Sequence, residues 1–449
     1  MIRSSVVLGL AICAAIACGG RDANDSGDDD TSLGDGGLDD SDGGAEGPPT
    51  LTLVGHNDLG ARGMNAALAL YDHYAYISFR GDATRDDAGI AIVDIADPTQ
   101  PQLVGHLGAP DEAVDGLTSR ELRVIPAKKL LIVMNATCNA GAQCASNPDD
   151  DPGFKFFDLT DPVHPARIGS FDISHLHEFF VWQDPANPQR ILLYVTSNET
   201  STGLAVLDAT DPTDVQQLGT WKLGRGVQLH SLSVSDDGTT AYMAHAEAGV
   251  MVADVSDFAT GANDPELRLV TGSLDGAKWT GETHSAVLIP GRPVVLATDE
   301  NWDCPYGFVH MADITNPAKP VLVGEYRLPE NDPSSCTDDP VPFTSHNPTV
   351  TEHLAIITWY AHGMLVLDTT DPAHPTELVR FTPAPIPSVA TEEPELEGNH
   401  VLMWSYPILK DGLIYVADIR NGLYVLRYTG PHQGEVTSRA FLEGNSNLK

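Results

Sequence analysis

Four histidines recur in one setting along this 449-residue chain. His177 lies in Leu-His-Glu-Phe-Phe, His230 in Leu-His-Ser-Leu-Ser, His284 in Thr-His-Ser-Ala-Val and His346 in Ser-His-Asn-Pro-Thr. Each opens a run of strand character. A second group of ionisable residues follows the next run of each unit: Glu199, His245, Glu247, Asp299, Glu300 and His362. Neutral imidazole is the commonest metal ligand, and its second nitrogen needs a carboxylate or carbonyl partner. If the two groups face one hole, they could hold a transition metal such as copper, with His177, His230, His284, His346, Glu300 and His362 as ligands. Glu199, His245, Glu247 and Asp299 would line the same face. The competing reading is structural: imidazoles can fill a narrow polar channel by bonding to backbone and water.

The elements that would bring these residues together are set by a repeat. Ile-Val-Asp-Ile-Ala-Asp-Pro (92–98), Phe-Phe-Asp-Leu-Thr-Asp-Pro (156–162) and Val-Leu-Asp-Ala-Thr-Asp-Pro (206–212) share one pattern. Further copies start at Val252, Met311 and Val366, and a decayed one at Val425. The anchors are Asp94, Asp158, Asp208, Asp254, Asp313, Asp368 and Arg427. Their spacing fits a four-stranded propeller blade. Short apolar runs rich in β-branched residues, cut by Gly, Pro and Asp, predict strands throughout. Asp caps its own backbone in an Asx turn, and Pro presets φ for the bend.

An outer-strand signature follows each turn, as in Gln102-Leu-Val-Gly-His and Val321-Leu-Val-Gly-Glu. One copy, Leu51-Thr-Leu-Val-Gly-His, stands before any blade, whereas the last unit lacks a strong one. Ring closure explains both, because it removes exposed sheet edges. The fold expected is all-β: a seven-bladed β-propeller closed by an N-terminal outer strand in the last blade. Inner strands should begin near Met64, Arg120, His177, His230, His284, His346 and Trp404. These motifs resemble the LVIVD-repeat family over roughly residues 51–430. That resemblance implies a bladed fold and often an extracytoplasmic, lipid-anchored protein; it implies no common activity. Copper among hub histidines is known in other propellers, such as nitrous oxide reductase. That likeness is of fold alone and assigns no residue a role.

The N-terminus is similar to a bacterial lipoprotein signal. Arg3 precedes an apolar stretch, Val6 to Ala17, too short to span a membrane. Ala15-Ile-Ala-Cys18 resembles a lipobox, with Cys18 as the lipidated residue. The expected domains are a signal peptide (1–17), Cys18 with an acidic Gly/Asp/Ser tether (18–49), the propeller (50–431) and a C-terminal tail (432–449). The tether has too little apolar content to fold. A bacterial envelope lipoprotein is expected, in the outer membrane, facing the periplasm or the cell surface. A monomer is expected, with a protein or small-molecule ligand. The formal charge of −38 argues against nucleic acid, which requires a basic footprint.

Of six cysteines, Cys13 leaves with the signal and Cys18 carries lipid, so four remain. Cys138 and Cys144 share a loop, and loops bearing Cys304 and Cys336 should fall on one face. The expected disulfides are Cys138–Cys144 and Cys304–Cys336. No G-x-S-x-G elbow, H-E-x-x-H pair or phosphate-binding glycine loop occurs. The most direct functional reading is a non-enzymatic binding scaffold; the alternative is an oxidoreductase-like metalloenzyme.

Overall fold

A computed structural model describes residues 47–109, 111–138, 144–145, 150–197, 203–223, 228–272, 281–336, 341–393 and 400–449. The signal, Cys18, most of the tether and Glu199 lie outside the described residues, as does the Glu247 side chain.

Seven antiparallel sheets follow one another along the chain, six of four strands and one of five. In each four-stranded blade the strands pair in chain order. The middle strands are buried along their whole length, for example Ile191–Ser197 and Leu354–Trp359. Both of their faces meet neighbouring blades, which is why they read as continuous apolar runs rather than alternating ones. The outer strands, such as Gln102–Leu107 and Ala166–Asp172, are largely exposed.

The ring closes as the displaced motif requires. Thr50–Asn57 pairs antiparallel with Gly422–Thr429 as the outer strand of the last blade, from Thr50 opposite Thr429 to Asn57 opposite Leu423. The seven-bladed propeller is thereby established.

The two repeated motifs prove to be partners. Each anchor Asp caps its turn: Asp94 Oδ1 accepts from the Ala96 N–H at 2.8 Å, and Asp313 Oδ1 from the Thr315 N–H at 2.7 Å. The turn's proline carbonyl then presses on the Val-Gly glycine of the preceding blade. A Cβ on Gly55 would overlap the carbonyl oxygen of Pro98; on Gly169, that of Pro212; on Gly324, that of Pro372. Gly105 and Gly219 are exceptions: the nearest neighbours of Gly105, on Val163, stand at 3.7 Å, and that of Gly219, on the Phe258 ring, at 3.4 Å.

Two inner strands begin later than the sequence suggests. The sixth blade's is Pro348–Val350 and the seventh's is Ile408–Lys410. Pro348 and Pro407 supply no N–H to a ladder, so regular pairing starts at or beyond them. Both expected disulfides are present, with Cα–Cα distances of 6.1 Å for Cys138–Cys144 and 5.7 Å for Cys304–Cys336. These lie within the normal span for a bridge.

The C-terminal segment is more than a tail. After a short helix, Gly434–Thr437, the strand Phe441–Leu442 adds to the inner edge of the seventh blade. Ser446 then bridges Val181 of the third blade. The Asn447 side chain accepts from the Gln183 N–H at 2.7 Å and donates to the Gln183 carbonyl at 2.9 Å. The chain end thus crosses from blade seven to blade three, at the end of the hub away from His177.

The glycine packing makes a graded prediction. Gly169→Ala and Gly324→Ala each overpack a blade junction and should cost about 1–3 kcal/mol of unfolding free energy. Gly105→Ala, with room for a methyl, should cost well under 1 kcal/mol by the same reasoning. Urea unfolding of the three variants checks the order.

Candidate metal centre at the hub

Inner strands of blades three, four and five are Leu176–Gln183, Leu229–Val234 and Thr283–Leu288. Each carries a β-bulge at its first turn of pairing. The register slips between Leu176 and Phe179, between Leu229 and Ser231, and between Thr283 and Ser285. His177, His230 and His284 are bulge residues. A bulge leaves a residue out of the ladder and re-aims its side chain. His346 precedes its shortened strand and has its N–H on the Thr358 carbonyl at 3.0 Å.

The four imidazoles form a contiguous arc. Ring centroids lie 4.1 Å apart for His177–His230, 3.9 Å for His230–His284 and 4.2 Å for His284–His346. His177 Nε2 and His230 Nε2 are 2.7 Å apart. One carboxylate serves the arc. Glu300 Oε2 stands 3.4 Å from His230 Nε2 and 3.7 Å from His284 Nε2, and its Oε1 is 3.7 Å from His346 Nε2. Glu178 Oε1 adds a second carboxyl 3.6 Å from His284 Nε2.

Several donors are held from behind. His346 Nδ1 lies 2.8 Å from the Trp404 carbonyl, which can only accept, so Nδ1 carries the hydrogen and Nε2 keeps its lone pair. His284 Nδ1 lies 2.8 Å from Ser285 Oγ, and its Nε2 is buried without a hydrogen bond. Glu300 accepts from Trp302 Nε1 at 3.1 Å and from the Tyr360 hydroxyl. Tyr360 adopts a positive φ of 26°, a costly backbone state for a tyrosine.

The electrostatics favour the ligand forms. Burial pushes His177 and His284 well below the usual imidazole value, and their imidazole neighbours add to it. His346 falls to about 4, chiefly through burial. Burial works to raise the Glu300 carboxyl, but His284, His230 and His346 outweigh it and hold the group well below the ordinary carboxylate range. Burial thus favours the neutral form of His177, His284 and His346, the form in which an imidazole ligates a cation. Donors on one ion at about 2.0–2.1 Å stand roughly 2.9–3.4 Å apart. The separations from Glu300 are within a few tenths of an ångström of that range. His230, His284 and Glu300, whose ligand atoms lie within 4.8 Å of one another, fit a transition-metal ion.

The fold and its repeats agree with the comparisons. Residues 62–107 and 310–327 match the LVIVD repeat family. The chain is a propeller carrying LVIVD repeats. No curated protein matches it in sequence. Among solved structures, it is similar to the β-propeller domain of Cps50 (Swd1) from Myceliophteria thermophila. That match has 10% identity and a TM-score of 0.49, and covers 85% of this chain and 100% of that one. It is also similar to a hypothetical selenium-binding protein from Sulfolobus tokodaii, at 12% identity and a TM-score of 0.45, over 68% of this chain and 74% of that one. Neither likeness bears on what this propeller binds.

The LVIVD propeller brings together only part of the expected residue set. His177, His230, His284, His346 and Glu300 converge. His245 and Asp299 do not, and register explains why. Each is the last ladder residue of its second strand, opposite Leu229 and Thr283 respectively. Successive side chains on a strand face opposite sides, so the hub-facing position is the next residue, Glu300 in blade five. Asp299 instead meets His310 Nε2 at 2.7 Å. His245 is buried with its ring 6.1 Å from Trp221. His362 is also a correction to the expected ligand set. The strand Leu354–Trp359 ends before it, and its ring packs on Phe343 at 5.8 Å. Tyr360 holds the hub-facing position in blade six. The sequence reading missed Tyr360, Trp302 and Glu178; counting the second-strand residues in register would have found Tyr360.

The depressed His346 value has a measurable consequence. In metal-free protein, the His346 ring resonances should titrate near pH 4 rather than near 6.5. Between those values the unfolded chain binds the proton and the folded one does not, so His346 lowers stability as pH falls from about 6.5 to about 4. The loss reaches at most about 3 kcal/mol. Urea unfolding of wild type and His346→Gln should show a shallower acid slope in the variant.

Proposed function

We propose that this propeller is an exported, lipid-anchored protein of the bacterial cell envelope that binds its ligand at the hub face through a transition-metal ion. His177, His230, His284 and His346 would supply nitrogen donors, and Glu300 the charge-balancing oxygen. One observation carries the reading: three imidazole Nε2 atoms face a single ionised carboxylate within 3.7 Å. Imidazole donors suit copper, zinc, iron and nickel, and copper leads on intrinsic affinity. Glu300 and His230 are the most exposed of the set, with side chains 14% and 13% accessible, so a small molecule would approach there.

The scaffold and metal readings are compatible, because an ion with an open position is a means of binding. The enzymatic alternative draws on Tyr360 and Trp302. Both are hydrogen-bonded to Glu300, and their rings meet at 4.9 Å, so an oxidisable pair sits against the proposed ligand. The anchor at Cys18 and the envelope location rest on the N-terminal sequence. The two disulfides fit an oxidising compartment.

Metal analysis tests the proposal. Protein made in an oxidising compartment and dialysed against a mild chelator should retain about one equivalent of transition metal. His230→Ala/His284→Ala should lose it while unfolding at the same temperature as the metal-free parent. Absence of metal from the parent under copper, zinc and iron supplementation would defeat the reading.

A further inference from the structure

A second constellation lies at the opposite end of the wheel. His353 sits in the turn between the first two strands of blade six, Pro348–Val350 and Leu354–Trp359. His432 and Glu435 come from the segment after the last blade strand, and Glu435 lies in the short helix Gly434–Thr437. His353 Nδ1 is 2.5 Å from Glu435 Oε1, and His432 Nδ1 is 3.8 Å from the same oxygen. The two imidazoles stack at 4.6 Å and 14°, turning the same nitrogen toward one carboxylate.

Hydrogen bonding accounts for only half of this. Glu435 Oε2 is occupied by the His353 N–H at 3.0 Å and by the Thr351 hydroxyl. Oε1 engages His353. At 3.8 Å, however, His432 Nδ1 is beyond hydrogen-bond reach. His432 also holds a left-handed backbone, φ 58°, which is uncommon outside glycine. Its Nε2 is 3.3 Å from Thr370 Oγ1. Burial tends to raise Glu435, but Thr351 and His353 outweigh it and keep the carboxyl below its ordinary value. All three ligand atoms lie within 4.8 Å of one another.

We infer that His353, His432 and Glu435 form a second site for a divalent transition-metal ion, zinc above all. Zinc accepts three protein donors of mixed N and O type with water in the fourth position. The two separations from Glu435 Oε1 bracket the roughly 3 Å expected between donors on one ion. The ion would join blade six to the chain that continues into Phe441–Leu442 and on to Ser446. It would act as a clip on the C-terminal segment, independent of the hub centre.

The test uses the full chain carrying His230→Ala/His284→Ala, so that the hub does not contribute. Zinc chloride added in a calorimeter should bind at about one equivalent, and zinc should slow amide exchange across residues 432–446. Adding His432→Ala should weaken binding at least tenfold and abolish the protection. If that variant unfolds without zinc, His353→Gln replaces it in the same comparison. Absence of zinc binding, binding indifferent to both substitutions, or unchanged exchange would overturn the proposal. A failure of the hub centre would instead show in the parent's metal content and leave this titration untouched.

Discussion

Everything in this molecule depends on one strand pairing. Thr50–Asn57 and Gly422–Thr429 are separated by almost the whole propeller, yet they hydrogen-bond side by side. Without that pairing the last blade keeps an open edge and the sheets form an arc. With it, the inner strands are forced around one axis. The hub is then narrow because seven strand starts share it. Three of the junctions between blades are made by the motifs that repeat most visibly, a turn carbonyl against Gly55, Gly169 or Gly324, with no side chain to move aside. Local turn chemistry and blade-to-blade packing are one device.

Crowding polar side chains at that axis sets their charge. Burial holds His177, His284 and His346 toward the neutral form, and the imidazoles packed within 4.2 Å of one another add to it. Below them burial and neighbouring acids favour the protonated form of Glu178, since Glu121 is close by. Arg123 compensates this layer through Glu121, 3.0 Å away. The hub is therefore layered, with nitrogen donors and one carboxylate at the mouth and a partly neutralised acid layer beneath. Such an arrangement accommodates a cation at the upper level more readily than at the lower one.

The architecture was largely legible because repetition is a property of the chain. The anchor Asp residues, the Asp-Pro turns and the displaced Leu-Val-Gly-His each signal a position in a blade, and closure follows from counting them. The histidine arc was legible for the same reason: equivalent positions in consecutive blades lie side by side. What sequence could not supply was the facing of individual residues at strand ends. His245, Asp299 and His362 are chemically as suitable as Glu300, but a shift of one or two residues turns them away from the axis. The bulges that aim His177, His230 and His284 have no signature in the letters. Nor does the path of the last residues, which hold too little pattern to reveal that they return to blade three.

That return path makes the hub a cul-de-sac. Propellers are often pictured with an open axle, through which solvent or small solutes could pass from face to face. Here the chain's own end lies across the far opening, from Leu442 beside blade seven to Ser446 beside Val181. Anything that reaches Glu300 must leave by the opening it entered. A ligand of the kind proposed for the imidazoles would therefore arrive and depart by one face of the wheel.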